Sequence, residues 1–379
     1  MKDLVEVEQY LNEKYIIREN LVDGLLYIKS KNNMKAFAPL NENSLWRELC
    51  TARYSVKITD IINLLKSDFT EKYDPILDYF AQFENRAIKR DIVAELCKHI
   101  KVKGNQVKFV LALKKHLVRA VASIHNHHAF NKHCFVFVSS KQNNGKSTLC
   151  RWLCPFELKN YYAENITTDK DSLIALSENF LINLDELSTL MRSEINSLKS
   201  IFSKDSVKVR KPYERKPQTT RRRATFFGST NRNEFLNDES GSVRWICFEI
   251  DSIDWDYKKE IDVNDLWHYC YQQYKTGFDY NLVADEIQEN EIRNSNYNIT
   301  FQEEELIAGL FHPALEEKYD SKFMTATQMM IRLQEKYSLR NALSIVSIGK
   351  ALTKLNFERT QKFNGRFQEK GYWVIEHTL

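Results

Sequence analysis

Hydrophobic and polar positions follow two different periods along this chain. Helical spacing of apolar residues predicts helices at residues 4–15, 45–49, 58–65, 87–99, 108–129, 261–274, 284–296 and 326–337. Short apolar runs predict strands at residues 24–29, 134–138, 179–184, 224–230 and 245–250. Because strands and helices alternate through the middle of the chain, the pattern predicts an α/β fold.

The run at residues 134–138 leads into a polar loop that ends in Gly145-Lys-Ser-Thr148, and helical spacing resumes at Leu149. A strand, a loop and a helix in this order are the setting of a phosphate-binding loop, in which backbone N–H groups surround a β-phosphate. The predicted nucleotide-binding residues are Ser140, Asn143, Asn144, Gly145, Lys146, Ser147 and Thr148.

Two side chains of this loop have predicted roles in phosphoryl transfer. We expect Lys146 to reach the β- and γ-phosphates of ATP and Ser147 to hold Mg²⁺. Ser140 stands where the usual G-x-x-x-x-G-K-[ST] pattern has its first glycine. A serine can make this turn when its φ angle is negative, so we keep ATP and Mg²⁺ as predicted cofactors.

A second apolar strand ends in paired carboxylates, Asp185 and Glu186. Hydrolysis of ATP needs a second protein ligand for Mg²⁺ and a base for the attacking water. We predict that Asp185 binds the metal together with Ser147 and that Glu186 is the base.

The next strand ends in Asn231, which we predict to contact the attacking water or the γ-phosphate. Arg244 begins a further apolar run, Trp245 to Ile250. An arginine there is suited to neutralise the γ-phosphate of a neighbouring subunit. The predicted catalytic residues are Lys146, Glu186, Asn231 and Arg244.

Charge is distributed unevenly. The net charge is only +4, but residues 199–223 contain ten Lys or Arg against two acidic residues. Residues 206–211 and 219–227 read as two strands of a hairpin around a bend marked by Pro212 and Pro217. Such a hairpin can hold a nucleic-acid backbone, although a solvated basic face or arginines that reach a neighbour's nucleotide also fit. Its candidate contacts are Lys208, Arg210, Lys211, Arg215, Lys216, Arg221 and Arg222.

The helix at residues 108–129 carries Lys114, Lys115 and Arg119, which we expect on its exposed side. The seven cysteines form no C-x-x-C pair, and His125-Asn-His-His128 has no nearby cysteine or carboxylate to complete a metal site. No apolar run approaches about 18 residues, and the polar N-terminus has no signal peptide. We therefore expect a cytoplasmic protein without a membrane contact.

Residues 326–337, residues 344–355 and a hairpin with a turn at Asn364-Gly365 read as two helices and a wing. This arrangement is similar to a winged helix, in which Lys350 and Lys354 would contact DNA. Winged helices also bind proteins, and both alternatives stay open.

The series of motifs resembles the virulence-associated E family of mobile genetic elements, which are ATPases similar to superfamily 3 helicases and the AAA+ class. The resemblance rests on the motifs above and on Phe69-Thr-Glu-Lys-Tyr-Asp-Pro75, Val209-Arg-Lys-Pro-Tyr-Glu-Arg215 and Phe235-Leu-Asn-Asp-Glu-Ser-Gly-Ser-Val-Arg-Trp245. Two departures are Ser140, in place of glycine, and Val243, where the family often has a second arginine.

The resemblance implies a P-loop ATPase core at residues 116–251. It also implies that the basic hairpin of this core projects into a ring channel, as in superfamily 3 ATPases. Around the core we expect a mainly helical N-terminal region (1–115), a helical connecting segment (252–320) and a winged-helix-like domain (321–379). The family further implies a homo-oligomer in the form of a hexameric ring, single-stranded or forked DNA as a partner, and a role in replication, with a separate primase or replication protein as a further candidate partner.

Three functions compete at this point. The leading hypothesis is an ATP-hydrolysing, DNA-dependent motor, a helicase or translocase of a mobile element. The second is a regulatory or defence-related switch that binds DNA in response to ATP without separating strands. A small-molecule kinase on the same loop is the third, and it leaves the basic segment unexplained.

Overall fold

A computed structural model gives the architecture of the chain. It describes residues 2–32, 36–167, 169–189, 192–209, 216–232, 235–236, 242–297, 302–316, 320–337, 343–363 and 365–377. The chain divides into two compact units, Met1–Tyr297 and Asn298–Leu379.

The first unit begins with helices around a small sheet. Its first elements are α1 (Lys2–Lys14), β1 (Tyr15–Asn20), β2 (Leu26–Ser30), β3 (Ala38–Pro39), α2 (Glu42–Thr51), α3 (Ile58–Leu65) and β4 (Glu71–Tyr73). The strand order is β3-β2-β1-β4, with β1 antiparallel to β2 and parallel to β4. The predicted helices at 45–49 and 58–65 are confirmed. The sheet is larger than the single strand that the sequence predicted, since neither β1, where Ile17 and Asn20 are buried, nor the mostly exposed β4 shows the alternation that marks a strand.

Three helices and a strand then lead into the central body: α4 (Pro75–Ala81), α5 (Ile92–Lys98), β5 (Ile100–Val102) and α6 (Gln106–His125). The Asp74 side chain accepts hydrogen bonds from the N–H groups of Ile76 and Leu77, and Pro75 occupies the first turn of α4. Helix α5 is shorter than predicted because the Asp91 carboxylate caps its start by accepting from Ala94 N.

The prediction that α6 exposes Lys115 and Arg119 is wrong, since both side chains are buried. Lys115 Nζ donates to Glu286 Oε2 at 2.8 Å. Arg119 Nη1 lies 2.6 Å from His133 Nδ1, and the guanidinium also donates to the carbonyl of Tyr280. Each cation has polar partners far away in sequence, which is the condition under which charged side chains are buried.

A six-stranded sheet forms the centre of the first unit. Its strands are β6 (Cys134–Val138), β7 (Tyr162–Glu164), β8 (Leu181–Leu184), β11 (Thr225–Thr230) and β12 (Trp245–Ile253), together with β5. The order is β5-β12-β6-β11-β8-β7, and only β5 is antiparallel to its neighbour. The three strands in the middle, β6, β11 and β8, are buried along their whole length, as continuous apolar runs in a parallel sheet predict.

The two faces of this sheet pack against different sets of helices. On β6, Phe135 and Phe137 join one hydrophobic cluster, while Cys134, Val136 and Val138 join the other, because successive side chains of a strand point to opposite faces. The first cluster includes residues of α6 and α11, and the second includes residues of α9. The central body is therefore a three-layer α/β structure.

The remaining elements of this unit connect the strands and cover the sheet. They are α7 (Lys146–Trp152), α8 (Lys170–Glu178), α9 (Arg192–Phe202), β9 (Ser206–Val209), β10 (Gln218–Arg221), α10 (Tyr257–Glu260), α11 (Val263–Lys275) and α12 (Ala284–Ser295), with 3-10 turns at Phe156–Tyr161 and Leu187–Thr189. Strands β9 and β10 form the antiparallel hairpin that the sequence predicted. The predicted second strand, 219–227, is in fact two strands, because β10 ends at Arg221 and β11 begins at Thr225.

The described residues of the second unit form three helices and a small antiparallel sheet. Its elements are α13 (Gln302–Leu310), β13 (Phe311–Pro313), β14 (Lys322–Met324), α14 (Ala326–Tyr337), α15 (Ile345–Lys354), β15 (Arg359–Phe363) and β16 (Gln368–Glu376). The order is β13-β16-β14, and β15 also pairs with β16. The predicted helix at 326–337 and the final hairpin are confirmed, while Asn364 of the predicted turn lies outside the described residues.

Candidate nucleotide-binding site

The loop between β6 and α7 has the backbone geometry of a phosphate-binding turn. Gly145 precedes α7 in the left-handed conformation, with φ of 81°, and Asn143 has φ of 55°. Ser140 is not among the residues with positive φ, so a serine fits this position without strain. The N-terminal N–H groups of α7 have no partner within the helix, and the helix dipole adds partial positive charge at this point. The loop is therefore suited to an anion such as a triphosphate.

Hydrogen bonds to Ser139 and the end of β12 hold this loop in place. Ser139 Oγ accepts from Asn144 Nδ2 at 3.1 Å and from Lys141 N at 3.3 Å. The Ser139 N–H donates to the Thr230 carbonyl at 3.1 Å, which ties the loop to β11. Lys141 Nζ lies 3.2 Å from Asp251 Oδ1. These contacts shape the loop without occupying the N–H groups at the start of α7.

Lys146 and Asn231 meet beside the loop. Lys146 Nζ donates to Asn231 Oδ1 at 2.8 Å and to the Lys141 carbonyl at 3.2 Å. The lysine is buried, and desolvation lowers its pKa, while the nearby Asp185 carboxylate acts in the opposite direction. A buried ammonium held by two neutral oxygens, one of them a backbone carbonyl, can exchange these partners for phosphate oxygens when ATP binds.

Hydroxyl and carboxylate oxygens converge on the other side of the loop. Ser147 Oγ donates to Asp185 Oδ1 at 2.6 Å, and the Ser229 hydroxyl donates to the same oxygen. The Asp185 N–H donates to Asn165 Oδ1 at 2.8 Å, which fixes the position of the aspartate. Hard oxygen ligands from a P-loop serine and a carboxylate suit Mg²⁺, which keeps several waters and shares phosphate oxygens with its substrate. The donor set therefore fits the predicted metal.

Glu186 lies directly after the metal-binding candidate, at the carboxyl end of β8. It is exposed and has φ of 55°, a left-handed conformation that costs energy in a residue with a Cβ atom. Its N–H donates to Asp185 Oδ1 at 3.1 Å. Strained backbone of this kind is concentrated at functional sites.

Three neighbouring parallel strands bring these residues together. Strand β6 supplies the loop, β8 supplies Asp185 and Glu186, and β11, which lies between them, supplies Ser229 and Asn231. The carboxyl ends of parallel strands meet at one edge of a sheet, where α/β proteins bind their ligands. Thr148 lies in α7, one residue beyond Ser147.

Arg244 is not part of this cluster. It precedes β12, and its carbonyl accepts from the N–H of Cys134 at the start of β6, which places it at the opposite edge of the sheet. Its Nε donates to Ser203 Oγ at 2.8 Å. Within one chain, Arg244 and Lys146 therefore lie at opposite ends of the same parallel strands.

The predicted nucleic-acid contacts of the hairpin differ in their exposure to solvent. Lys208 and Lys216 are exposed on it, and Arg210, Lys211 and Arg215 lie outside the described residues. Arg222 is 1% exposed and donates to the backbone carbonyls of Phe202, Ala224 and Asn131. Its guanidinium is thus part of the core, and a nucleic-acid backbone cannot reach it.

Arg221 is partly buried, and its guanidinium donates to the carbonyl of Ile124 at the end of α6. In the second unit, Lys350 is exposed on α15, and Lys354 Nζ forms an ion pair with Glu304 of α13 at 2.7 Å. The candidates for nucleic-acid contact therefore belong to different elements of two units.

Residues 86–299, which are 214 of the 379 residues, match the model of the virulence-associated protein E-like domain. The match includes the loop, Asp185, Glu186, Asn231 and Arg244. The chain belongs to this family. No curated protein is similar enough in sequence to count as a match.

Solved structures show that the virulence-associated protein E-like chain shares its fold with the C-terminal region of NrS-1. The apo structure of that region has a TM-score of 0.53 and 13% sequence identity, over 98% of this chain and 99% of that chain. The A form of the same region has a TM-score of 0.51 and 12% identity, over the full length of both chains. At this identity the similarity shows the fold alone.

The described residues contain neither a membrane-spanning helix nor a metal-binding cluster of His, Cys, Asp and Glu side chains. No helix among them is long and apolar enough to cross a membrane. Among the residues that the structure describes, no three His, Cys, Asp or Glu side chains are close enough together to hold a metal ion. The histidines at 125, 127 and 128 are therefore not part of such a cluster.

Sequence reasoning missed several side chains of the site: Ser139, Asn165, Ser229 and Trp255. Ser229 had a signal, because it stands two residues before Asn231 at the end of the same strand. Asn165 and Trp255 had none, since Asn165 follows β7 and Trp255 lies in the segment between β12 and α10. Their places depend on the strand order, which the sequence does not contain.

Gly145→Ala is expected to weaken ATP binding by roughly tenfold or more, because a residue with a Cβ atom is strained by ~1–2 kcal/mol in this conformation. The new Cβ would also lie 3.0 Å from Cζ2 of Trp255. Calorimetric titration with ATP measures the affinity. Gly24→Ala is the matched control, since Gly24 also has a positive φ (73°) but lies outside the loop, and a methyl group added to it would meet no atom within 4 Å. Equal affinities of the two variants for ATP would contradict the need for glycine at position 145 of the phosphate-binding loop.

Proposed function

We propose that this chain is an ATP-hydrolysing, DNA-dependent oligomeric motor, a helicase or translocase that serves the replication of a mobile genetic element. The observation that carries the proposal is the meeting of Lys146, Ser147, Asp185 and Asn231 around the loop, at the carboxyl ends of three adjacent parallel strands. Each of these side chains has the chemistry that one part of ATP hydrolysis requires.

The first steps concern binding and orientation of ATP. The N–H groups at the start of α7 receive the β-phosphate, and the Lys146 ammonium contacts the β- and γ-phosphates. Ser147 and Asp185 would hold Mg²⁺, which neutralises phosphate charge when bound. Ser229 keeps the Asp185 carboxylate directed toward Ser147.

Water breaks the bond between the γ-phosphorus and the oxygen that bridges it to the β-phosphate. Glu186 accepts a proton from this water as it attacks the γ-phosphorus, and ADP leaves. Asn231, released from Lys146 by the phosphates, hydrogen-bonds the water or a γ-phosphate oxygen. Glu186 is suited to this role because it follows the metal ligand directly and is exposed.

Oligomerisation is part of the proposal because of the position of Arg244. A guanidinium at the edge of the sheet opposite the loop is remote from the nucleotide of its own chain. In a ring of identical subunits, a hexamer by resemblance, the same arginine faces a neighbour and neutralises charge on its γ-phosphate.

The DNA contacts of the motor are assigned to the hairpin and to the second unit. Lys208 and Lys216 are exposed on the hairpin, where ammonium groups attract a phosphate backbone regardless of base sequence. Lys350 and Lys354 are the candidates on α15 of the winged-helix-like domain. The proposed DNA is single-stranded or forked.

Strand separation on a forked DNA substrate tests this proposal. Wild-type protein with ATP and Mg²⁺ is expected to release the labelled strand. Glu186→Gln is expected to bind ATP but to hydrolyse it at least about 100-fold more slowly, since a general base contributes about 10²–10⁴-fold, and to release no strand. Glu157→Gln is the matched control, because Glu157 is an exposed carboxylate outside the cluster.

A double variant, Lys208→Ala with Lys216→Ala, separates the DNA contact from the chemistry. Its hydrolysis without DNA should equal that of wild type, while its strand release falls. Strand release by Glu186→Gln at the wild-type rate would contradict the motor. ATP hydrolysis without any strand release by wild type would favour the regulatory switch instead.

A further inference from the structure

Trp255 lies against the phosphate-binding loop from the segment between β12 and α10. Its Cζ2 and Cη2 atoms are 3.0 and 3.2 Å from the position that a Cβ atom on Gly145 would occupy. The indole is nevertheless 47% exposed. A large aromatic side chain thus touches the residue that precedes Lys146 and keeps nearly half of its surface open to solvent.

A cation lies over the indole ring. Lys258 Nζ lies 4.6 Å from the centre of the Trp255 ring, within the range of a cation–π contact. In the described part of the chain, no aromatic ring stacks on Trp255. The ammonium lies over one face of the indole, so a flat ring can stack on the other face.

Two contacts hold the Trp255 segment near the loop. The Tyr257 ring packs edge-on against Trp152 of α7 with ring centres 4.9 Å apart. Asp251, at the end of β12, lies 3.2 Å from Lys141 of the loop. These contacts place the segment that carries Trp255 beside the phosphate-binding turn.

We propose that Trp255 is the platform on which the base of a purine nucleoside triphosphate stacks when its phosphates occupy the loop. This inference rests on the proposed function, since it needs ATP in the loop. Ribose joins the base to the α-phosphate over a short distance, so an aromatic ring in contact with the loop lies within reach of the base. Because every base has a π-face, stacking on Trp255 favours purines through their larger area and discriminates weakly between ATP and GTP.

Calorimetric titrations with ATP and with inorganic tripolyphosphate test the inference, because the second ligand has the phosphates without a base. Trp255→Ala should weaken ATP binding about tenfold, as expected for loss of one base–aromatic stack, and leave tripolyphosphate binding unchanged. Trp255→Phe, which keeps a ring, should retain most of the ATP affinity. Trp46→Ala is the control, since Trp46 is 38% exposed and lies on α2, far in sequence from the loop.

The outcomes separate the inference from the function on which it rests. If Trp255→Ala lost equal affinity for ATP and for tripolyphosphate, Trp255 would support the loop and the stacking role would be overturned. Unchanged ATP affinity in this variant would also overturn the stacking role. In both of these cases Lys146→Ala should still weaken binding of both ligands, and the proposed function would stand. If wild-type protein bound neither ligand, the proposed function itself would fail.

Discussion

We expect Lys146→Ala to lower the rate of ATP hydrolysis by roughly 100- to 1,000-fold, the loss typical of removing a preorganised charge that stabilises the transition state. The ammonium is buried beside Asn231 and the Lys141 carbonyl, and no other lysine side chain contacts Asn231 among the described residues. The alanine cannot replace its contacts to the β- and γ-phosphates. Steady-state phosphate release measures the effect.

Lys141→Ala is the matched control for this loss. Lys141 belongs to the same loop, but its ammonium is 64% exposed and pairs with Asp251. An exposed ion pair contributes about 0–1 kcal/mol, so the variant should keep nearly the wild-type rate. Comparable losses in the two variants would show that general damage to the loop, rather than the Lys146 charge, limits hydrolysis.

Arg223→Met is expected to destabilise the fold by ~3–5 kcal/mol, because it leaves Asp74 as a buried charge without its partner. The two side chains form an ion pair and are 10% and 7% exposed. Asp74 belongs to the Tyr-Asp-Pro part of the upstream motif and caps α4, while Arg223 follows the hairpin. This pair therefore joins the N-terminal helices to the start of β11. Urea unfolding gives the free energy of unfolding.

Two further variants show whether the charge is responsible. Asp74→Asn combined with Arg223→Met removes both charges and keeps a capping side chain, so it should recover much of the lost stability. Glu71→Gln breaks the exposed Arg18–Glu71 pair and should cost less than about 1 kcal/mol. A double variant as unstable as Arg223→Met would assign the effect to packing of the arginine side chain instead.

The parts of this protein that sequence predicted well are those set by neighbouring residues. The strand, loop and helix around Lys146 follow from a buried apolar run, a left-handed glycine and renewed helical spacing within 20 residues of chain. The helix α14 follows from its periodicity alone. Local patterns carry this information because their hydrogen bonds close within a few residues.

The wrong predictions concern residues whose partners are distant in sequence. Lys115 and Arg119 were expected at the surface, yet their partners Glu286 and Tyr280 come from segments more than 160 residues away. Arg222 lies in a basic run, but three carbonyls from separate elements bind its guanidinium. A composition argument cannot identify partners that only the folded chain brings together.

The candidate site shows both cases. Lys146, Ser147, Asp185 and Asn231 stood out because each ends a strand or begins a helix, where polar residues face a ligand rather than the core. Their mutual distances required the strand order β6-β11-β8. Trp255 was missed because a single aromatic residue in a connecting segment has no pattern of its own.

Steady-state ATP hydrolysis by the wild-type protein, with and without single-stranded DNA, shows whether the chain is a DNA-dependent motor. We expect a rate that depends on Lys146 and rises when DNA is added. A Lys146-dependent rate that DNA leaves unchanged would contradict the motor and support the regulatory switch. Absence of hydrolysis under both conditions would contradict the assignment of the site itself.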